Sequence, residues 1–312
     1  MTARVAPDLP RDVPARRTLS GAHTAVARQL ANAGVPNAAV DARWLIAHVC
    51  GTDPHRRPVD VVDPSVEEAL SQAVARRMAR EPLQLIVGSA PFLTLDIVCE
   101  PGVFIPRPET EVLAREAIRR ACWFPAPVRI VEPCTGTGAI AGALLASVPS
   151  AQIVASDIDE RAVALARRNL ARVADGTAGN EAAPGSRAEV RYGALLAPVE
   201  SLRGRVDVLV ANPPYLPASD EGSWSIEVAG HDPHRALIGG RGGHEVVNRL
   251  IDSAPDFLAP GGHVLLEVDA RQADAAVARA RAVGLVDVTL LDDLTGRPRV
   301  LAATDPRERT DG

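Results

Sequence analysis

The chain has 312 residues, enough for one large domain or two ordinary ones and for a sizeable buried core. Hydrophobic residues make up 46% and charged residues 23%, a globular balance that excludes disorder, collagen and coiled coil as the main theme. With 34 basic against 39 acidic side chains the net charge is −5, too mild to hold nucleic acid by charge alone, and no direct nucleic-acid contact is expected.

No run of eighteen apolar residues exists, so no membrane span is expected. The start, Met1 to Asp8, lacks the apolar core of a signal peptide, which predicts a cytoplasmic address. Every basic side chain is arginine, so no catalytic lysine is available. Cys50, Cys99, Cys122 and Cys134 are scattered without a C-x-x-C pair. Reduced thiols are expected, with no disulfide framework and no metal site.

In chain order, residues 1–17 carry three prolines and read as a tail. Residues 18–82 read as a helical domain. Val26, Leu30 and Ala33 mark a first helix that Gly34 stops. A second follows Pro36, with Val40, Trp44, Leu45 and Val49 on its apolar face. A third opens at Ser65-Val66-Glu67-Glu68, a capping box, and continues through Leu70, Val74 and Met78. Residues 83–105 read as a β-hairpin linker, with strands at Leu85–Gly88 and Phe92–Val98.

Residues 106–303 alternate strands and helices. Strands are predicted at 128–131, 152–155, 189–192, 207–211, 263–268, 286–291 and 299–302, and helices near 110–121, 139–147, 160–173, 243–258 and 270–282. That alternation predicts an α/β fold, a mostly parallel seven-stranded sheet covered on both faces. Residues 174–188 read as a polar loop and 304–312 as a second tail.

Strand 128–131 runs through Glu132-Pro133 into Cys134-Thr135-Gly136-Thr137-Gly138 and then a helix. Such a turn lets a ligand approach the backbone and offers free N–H groups at the helix start. Gly136-x-Gly138-x-x-Ala141 also fits a dinucleotide fingerprint. The next strand ends at Asp157, twenty-one residues after Gly136, where a carboxylate can accept from both ribose hydroxyls. Asp157 or Asp159 can equally cap the helix from Glu160. These residues predict nucleoside binding and leave NAD and S-adenosylmethionine both open.

Asn212-Pro213-Pro214-Tyr215 follows the apolar strand Val206–Ala211. Each proline fixes its own φ, restricts the residue before it and donates no N–H, so Asn212 is held rigidly at the strand tip. The acceptors that remain are the Asn212 side-chain oxygen and the Pro213 carbonyl, a pair suited to a planar NH2 group. Tyr215 supplies a flat wall against the substrate plane. An amide or exocyclic amine is a poor nucleophile, and holding its nitrogen about 3–3.5 Å from a sulfonium methyl, in line, outweighs any base.

Together with Ile105-Pro106-Arg107-Pro108-Glu109-Thr110-Glu111, these residues resemble the release-factor glutamine N5-methyltransferases, a family similar to class I S-adenosylmethionine methyltransferases with a small helical N-terminal domain. The likeness runs from about residue 20 to 303. It takes in Glu81-Pro82-Leu83-Gln84 through Gly88, Asp232-Pro233, Ala236-Leu237, Gly239-Gly240, Pro260-Gly261-Gly262, Leu265-Leu266-Glu267, Gln272 and the segment Asp292 to Arg299.

The resemblance implies S-adenosylmethionine as cofactor, held by Cys134, Thr135, Gly136, Thr137, Gly138 and Asp157, with Asn212 bridging cofactor and substrate. It implies Asn212, Pro213 and Tyr215 as catalytic residues, and Asn212 through Tyr215 as the holders of a glutamine amide in the Gly-Gly-Gln loop of peptide release factors. The helical domain becomes a substrate-binding domain, Arg107 and Glu109 a lid over the cofactor, and the protein a monomer. Three departures stand out: Cys134 where the family has glycine, Ala194 where it offers an acid, and Asp232 for its glutamate. They leave open another amide or amine of a small molecule, protein or nucleic-acid base, and a non-catalytic release-factor or ribosome-binding module.

Lesser features are read plainly. His231-Asp232-Pro233-His234 offers no third metal ligand, and loop hydrogen bonding is its expected role. Cys134 stands at a helix start, which can lower a thiol pKa, although a structural thiol is the expectation. Trp224 is read as a lid or a surface anchor. Arg76, Arg77 and Arg80 are read as a solvated helix face.

Overall fold

The computed structural model describes residues 17–177 and 187–309. The expected tails at 1–16 and 310–312, and residues 178–186 of the expected polar loop, lie outside the described residues. The chain divides into two units, through Val87 and from Gly88 onward.

The first unit is helical: α1 (Leu19–Asn32), α2 (Ala38–Cys50), α3 (Pro64–Met78) and α4 (Leu83–Val87). Thr18 caps α1 by accepting from the Gly21 N–H, and Leu19, Val26 and Leu30 bury its inner stripe. Its chain turns away at Gly34, φ 73°. The apolar face of α2 is rotated from the expected one: Ala42, Leu45 and Ile46 are buried, whereas Val40 and Trp44 are exposed. The reason is electrostatic. Asp41 is buried beside Val40 because Arg77 of α3 reaches it at 2.7 Å.

Two other expectations change. Helix α3 is capped by Asp63, which accepts from the Ser65 N–H at 2.9 Å, with Pro64 in the first turn, in place of a Ser65 capping box. Asp is as good a cap as Ser, and proline at the first position loses no hydrogen bond. Met78, placed on the inner face by the sequence, is exposed. Of the three arginines read as a solvated face, Arg77 leaves it, buried against Asp41, while exposed Arg76 pairs with Glu81 and Arg80 reaches the Gly34 carbonyl.

Leu85–Val87, expected as a strand, belongs to α4. Leu85 and Ile86 are both buried neighbours, which a strand facing one side cannot provide, and Gly88 at φ 84° ends the turn. The hairpin lies in the second unit, as β1 (Ser89–Phe92) and antiparallel β2 (Leu95–Val98).

The second unit continues with α5 (Thr110–Ala121), β3 (Val128–Pro133), α6 (Ala139–Ser147), β4 (Ala151–Asp157), α7 (Glu160–Ala174), β5 (Ala188–Tyr192), β6 (Val206–Ala211), α8 (Ile226–His231), α9 (His234–Leu237), α10 (Glu245–Phe257), β7 (Leu258–Glu267), α11 (Ala273–Ala282), β8 (Val286–Asp292) and β9 (Pro298–Thr304). The sheet order is β5-β4-β3-β6-β7-β9-β8. Neighbours from β5 to β7 are parallel, and β9 runs antiparallel to both β7 and β8.

Alternation along the strands builds two cores. Ile130, Val208, Val210 and Leu265 pack with α5, α6, α7 and the hairpin. Val131, Leu209, Ala211 and Leu266 pack with α10 and α11 on the other face. Residues 305–309, expected in a tail, are tied down. The Asp305 N–H donates to the Gly262 carbonyl, and Arg309 reaches Asp207 at 2.9 Å. Among the described residues, no helix is long and apolar enough to cross a membrane.

Candidate active site

From β3 the chain steps outward one way to β4 and β5, and from β6 the other way to β7. The carboxyl ends of β3 and β6 therefore flank a crevice, the place where open α/β sheets bind ligands. A cavity of about 560 Å3 lies there, lined by Cys134 to Thr137 after β3, Asp157 at the end of β4, Tyr192 at the end of β5, and Asn212 and Pro214 after β6.

The turn after β3 is wound around a buried carboxylate. Glu132 Oε2 accepts the Thr135 hydroxyl at 2.8 Å and the Ala141 N–H at 3.0 Å. Burial pushes the Glu132 pKa up to about 8, against the pull of those two donors. Cys134 takes the left-handed conformation at φ 59° that glycine adopts freely. Burial and the charges of Asp157 and Glu132 push its thiol pKa up, so the thiolate reading from its place near a helix start gives way to a structural thiol. Gly138 faces α7 rather than the cavity. A Cβ there would stand 3.1 Å from the Ala166 side chain, so this glycine permits close packing of α6 on α7.

Asp157 braces the same turn and lines the cavity. Its Oδ2 accepts the Gly136 N–H and its Oδ1 the Asp159 N–H, both at 2.9 Å. Burial raises its pKa, opposed by those backbone donors. The cap of α7 is Asp159, accepting from the Arg161 N–H. Exposed Tyr192 and Ile158 edge the mouth of the cavity.

On the β6 side, Asn212 Nδ2 donates to Thr110 Oγ1 at 3.0 Å. Its Oδ1 has no hydrogen-bond partner among the described residues. Pro214 lines the cavity, and Pro213 is buried behind it. The Tyr215 hydroxyl donates to Glu267 Oε1 at 3.0 Å. The backbone beyond is pinned: the Leu216 N–H donates to the Leu237 carbonyl, and Gln272 Nε2 donates to the Tyr215 and Gly242 carbonyls.

From the segment Ile105 to Glu111, Pro106 and Thr110 face the cavity. Arg107, expected as part of a lid, lies over the Phe104 ring and pairs with buried Asp232. His234 Nδ1 sits 2.9 Å from Glu221, and half-buried Trp224 meets the His234 ring edge-on.

Glu132 and Thr110 carried no assigned role in the sequence, and Glu267 and Gln272 entered only as matching letters. The one local signal was a carboxylate at the end of an apolar strand, shared by Glu132 and Glu267.

Residues 22–88 match the family model described as PrmC N-terminal domain, and residues 124–225 the one described as Methyltransferase small domain. The release factor glutamine methyltransferase of Mycolicibacterium smegmatis is 40% identical over 279 residues, covering 88% of this chain and 93% of that protein. The protein of the same description from Mycobacterium tuberculosis H37Rv is 38% identical, covering 92% and 91%. A third, from Streptomyces coelicolor, is 37% identical, covering 88% and 94%. The seven-stranded, mostly parallel sheet and the helical N-terminal unit are those expected from the sequence. Given that identity across more than nine-tenths of these relatives, the chain belongs to the family of release factor glutamine methyltransferases.

Proposed function

We propose that the protein transfers a methyl group from S-adenosylmethionine to the side-chain amide nitrogen of the glutamine in the Gly-Gly-Gln loop of peptide release factors. The observation that carries this reading is Asn212. Its Nδ2 is engaged by Thr110, which leaves Oδ1 as the acceptor at the cavity wall. Beside a Pro213 carbonyl that no proline N–H competes for, this is a seat for the two hydrogens of one NH2 group.

The residues present fit the cofactor. A carboxylate offers about four acceptor positions, and two of those on Asp157 are used by the Gly136 and Asp159 N–H groups. The remainder suit the two hydroxyls of a ribose. The turn from Cys134 to Thr137 suits the amino-acid end, and Tyr192 and Ile158 offer apolar surface for a base. S-adenosylmethionine supplies a methyl carbon bonded to a positively charged sulfur. Asn212 and Pro213 fix the direction of the amide nitrogen toward that carbon. Accepting both of its hydrogens raises its electron density. With the cofactor bound, the C–S electron pair would return to sulfur as the new N–C bond formed, and the amide nitrogen held by Asn212 and Pro213 would then give a proton to water. Positioning accounts for the rate, and no side-chain base is required.

The test is incubation of the purified protein with methyl-labelled S-adenosylmethionine and a purified release factor, followed by peptide mapping. One methyl on the Gly-Gly-Gln glutamine is expected. Cofactor binding with an unlabelled release factor would redirect the search to other amides and amines.

A further inference from the structure

An amide oxygen and an amide NH2 have nearly the same shape, so backbone rigidity alone does not decide which of them Asn212 turns toward a substrate. Only the oxygen can receive an NH2 group. Something must therefore set the flip, and the surroundings of Asn212 contain a group able to do so. The register that pairs Ala211 with Leu266 brings Glu267, the last residue of β7, beside Asn212. Glu267 is 1% exposed, and its Oε1 accepts the Tyr215 hydroxyl. Its Oε2 is buried with no hydrogen-bond partner among the described residues, an acceptor open to the Thr110 hydroxyl at the first residue of α5, which acts on this carboxylate as a donor.

We propose that Thr110 and Glu267 are positioning residues for methyl transfer: the buried carboxylate fixes the direction of a hydrogen-bond chain, through the Thr110 hydroxyl, that holds the Asn212 amide with its oxygen toward the substrate. The logic is that of donors and acceptors. An ionised carboxylate only accepts, so the single Thr110 hydrogen points to Glu267. The Thr110 oxygen is then left to accept, and it accepts Asn212 Nδ2 at 3.0 Å. Nδ2 being fixed on Thr110, Oδ1 faces away from it. The same carboxylate holds Tyr215, so one buried group orients two of the four residues from Asn212 to Tyr215.

Reversal of the chain gives the proposal a pH signature. Burial raises the Glu267 pKa, and the Glu109 charge adds to this; the Thr110 and Tyr215 hydroxyls and Arg299 on β9 oppose it. Asp269 acts on the same cluster through Tyr215. Once protonated, Glu267 can donate to Thr110, whose hydrogen then turns to Asn212 and favours the flipped amide. The rate should fall on the acid side as Glu267 takes its proton.

The inference rests on the methyl-transfer reading, and the experiment separates the two. Wild type, Thr110→Val, Thr110→Ser and Glu267→Gln are compared for S-adenosylmethionine affinity by calorimetry, and for kcat and KM with a release factor between pH 5 and 9. Thr110→Val should lose at least about tenfold in kcat, with cofactor affinity and release-factor KM within about threefold of wild type. Thr110→Ser, which keeps the hydroxyl, should restore kcat to within about threefold. Glu267→Gln should be slow at every pH and lack the acid limb of the wild type. A Thr110→Val enzyme at wild-type speed would overturn the proposal. So would a serine variant as slow as the valine one, or an acid limb retained in Glu267→Gln. If Thr110→Val fails to bind cofactor, the Glu267→Gln profile decides alone. A wild type that binds cofactor but methylates no release factor would overturn the functional reading itself, and this proposal with it.

Discussion

At the residue scale, each working side chain is held by a partner that the strand ends bring to it. Asp157 both braces the glycine-rich turn and faces the cavity, so replacement by asparagine keeps its shape and removes its charge. The variant should lose about 1.5–3 kcal/mol of S-adenosylmethionine binding, roughly ten- to hundredfold in Kd by calorimetry. Unchanged affinity would place the ribose elsewhere. Cys134 makes the opposite point. A thiol near a helix start reads as reactive, yet burial and two neighbouring carboxylates raise its pKa. Under iodoacetamide at pH 8, exposed Cys122 should be alkylated well before Cys134, as mass spectrometry of timed samples would show. The backbone of the proposed amide seat was legible in advance. Asn212 to Tyr215 is four consecutive letters, and two prolines fix its backbone whatever surrounds it. Thr110 and Glu267 lie 102 residues from Asn212 and 52 from Tyr215 respectively, and no local pattern can announce a contact that only the sheet creates.

At the scale of elements, the loop 239–243 sets the path of the Asn212 to Tyr215 segment. A Cβ at Gly243, where φ is 82°, would stand 2.5 Å from the Tyr215 carbonyl oxygen and 2.6 Å from the Pro217 nitrogen. Gly243→Ala must therefore push the Tyr215–Pro217 backbone aside. It should cost at least about tenfold in methyl-transfer rate, while S-adenosylmethionine affinity stays within about threefold, because the proposed cofactor site at the ends of β3 and β4 lies across the crevice. Equal loss of both would mean that the loop supports the whole cavity. The strand order and the long helices were read correctly along the second unit because alternating periodicity is a local property, whereas the short helices α8 and α9 were not expected. The errors have local causes too. Leu83–Val87 is a short apolar run that periodicity cannot assign, and the face of α2 is set by the buried Asp41–Arg77 pair, which a hydrophobic count overlooks.

For the whole molecule, buried titratable groups give stability an opposed pH dependence. The Glu132 pKa in the folded state, about 8, lies above its ordinary 4.5, so its contribution is present below pH 4.5 and lost as pH rises through 8. His263, lowered to about 4 by burial and by Arg120, contributes above pH 6.5 and loses that contribution as pH falls through 4. Thermal melts should show Glu132→Gln flattening the alkaline decline while leaving the acid one unchanged. A wild-type Tm that rises between pH 5 and 8, with no difference in Glu132→Gln, would contradict this. The central claim is that the crevice between β3 and β6 works by orienting an amide rather than by acid–base chemistry. Its most direct test is the single-turnover rate of methyl transfer by Asn212→Ala, measured beside its S-adenosylmethionine affinity. The account predicts a loss of at least about a hundredfold in rate with cofactor affinity within about tenfold of wild type. A variant that transfers methyl groups at the wild-type rate would contradict it.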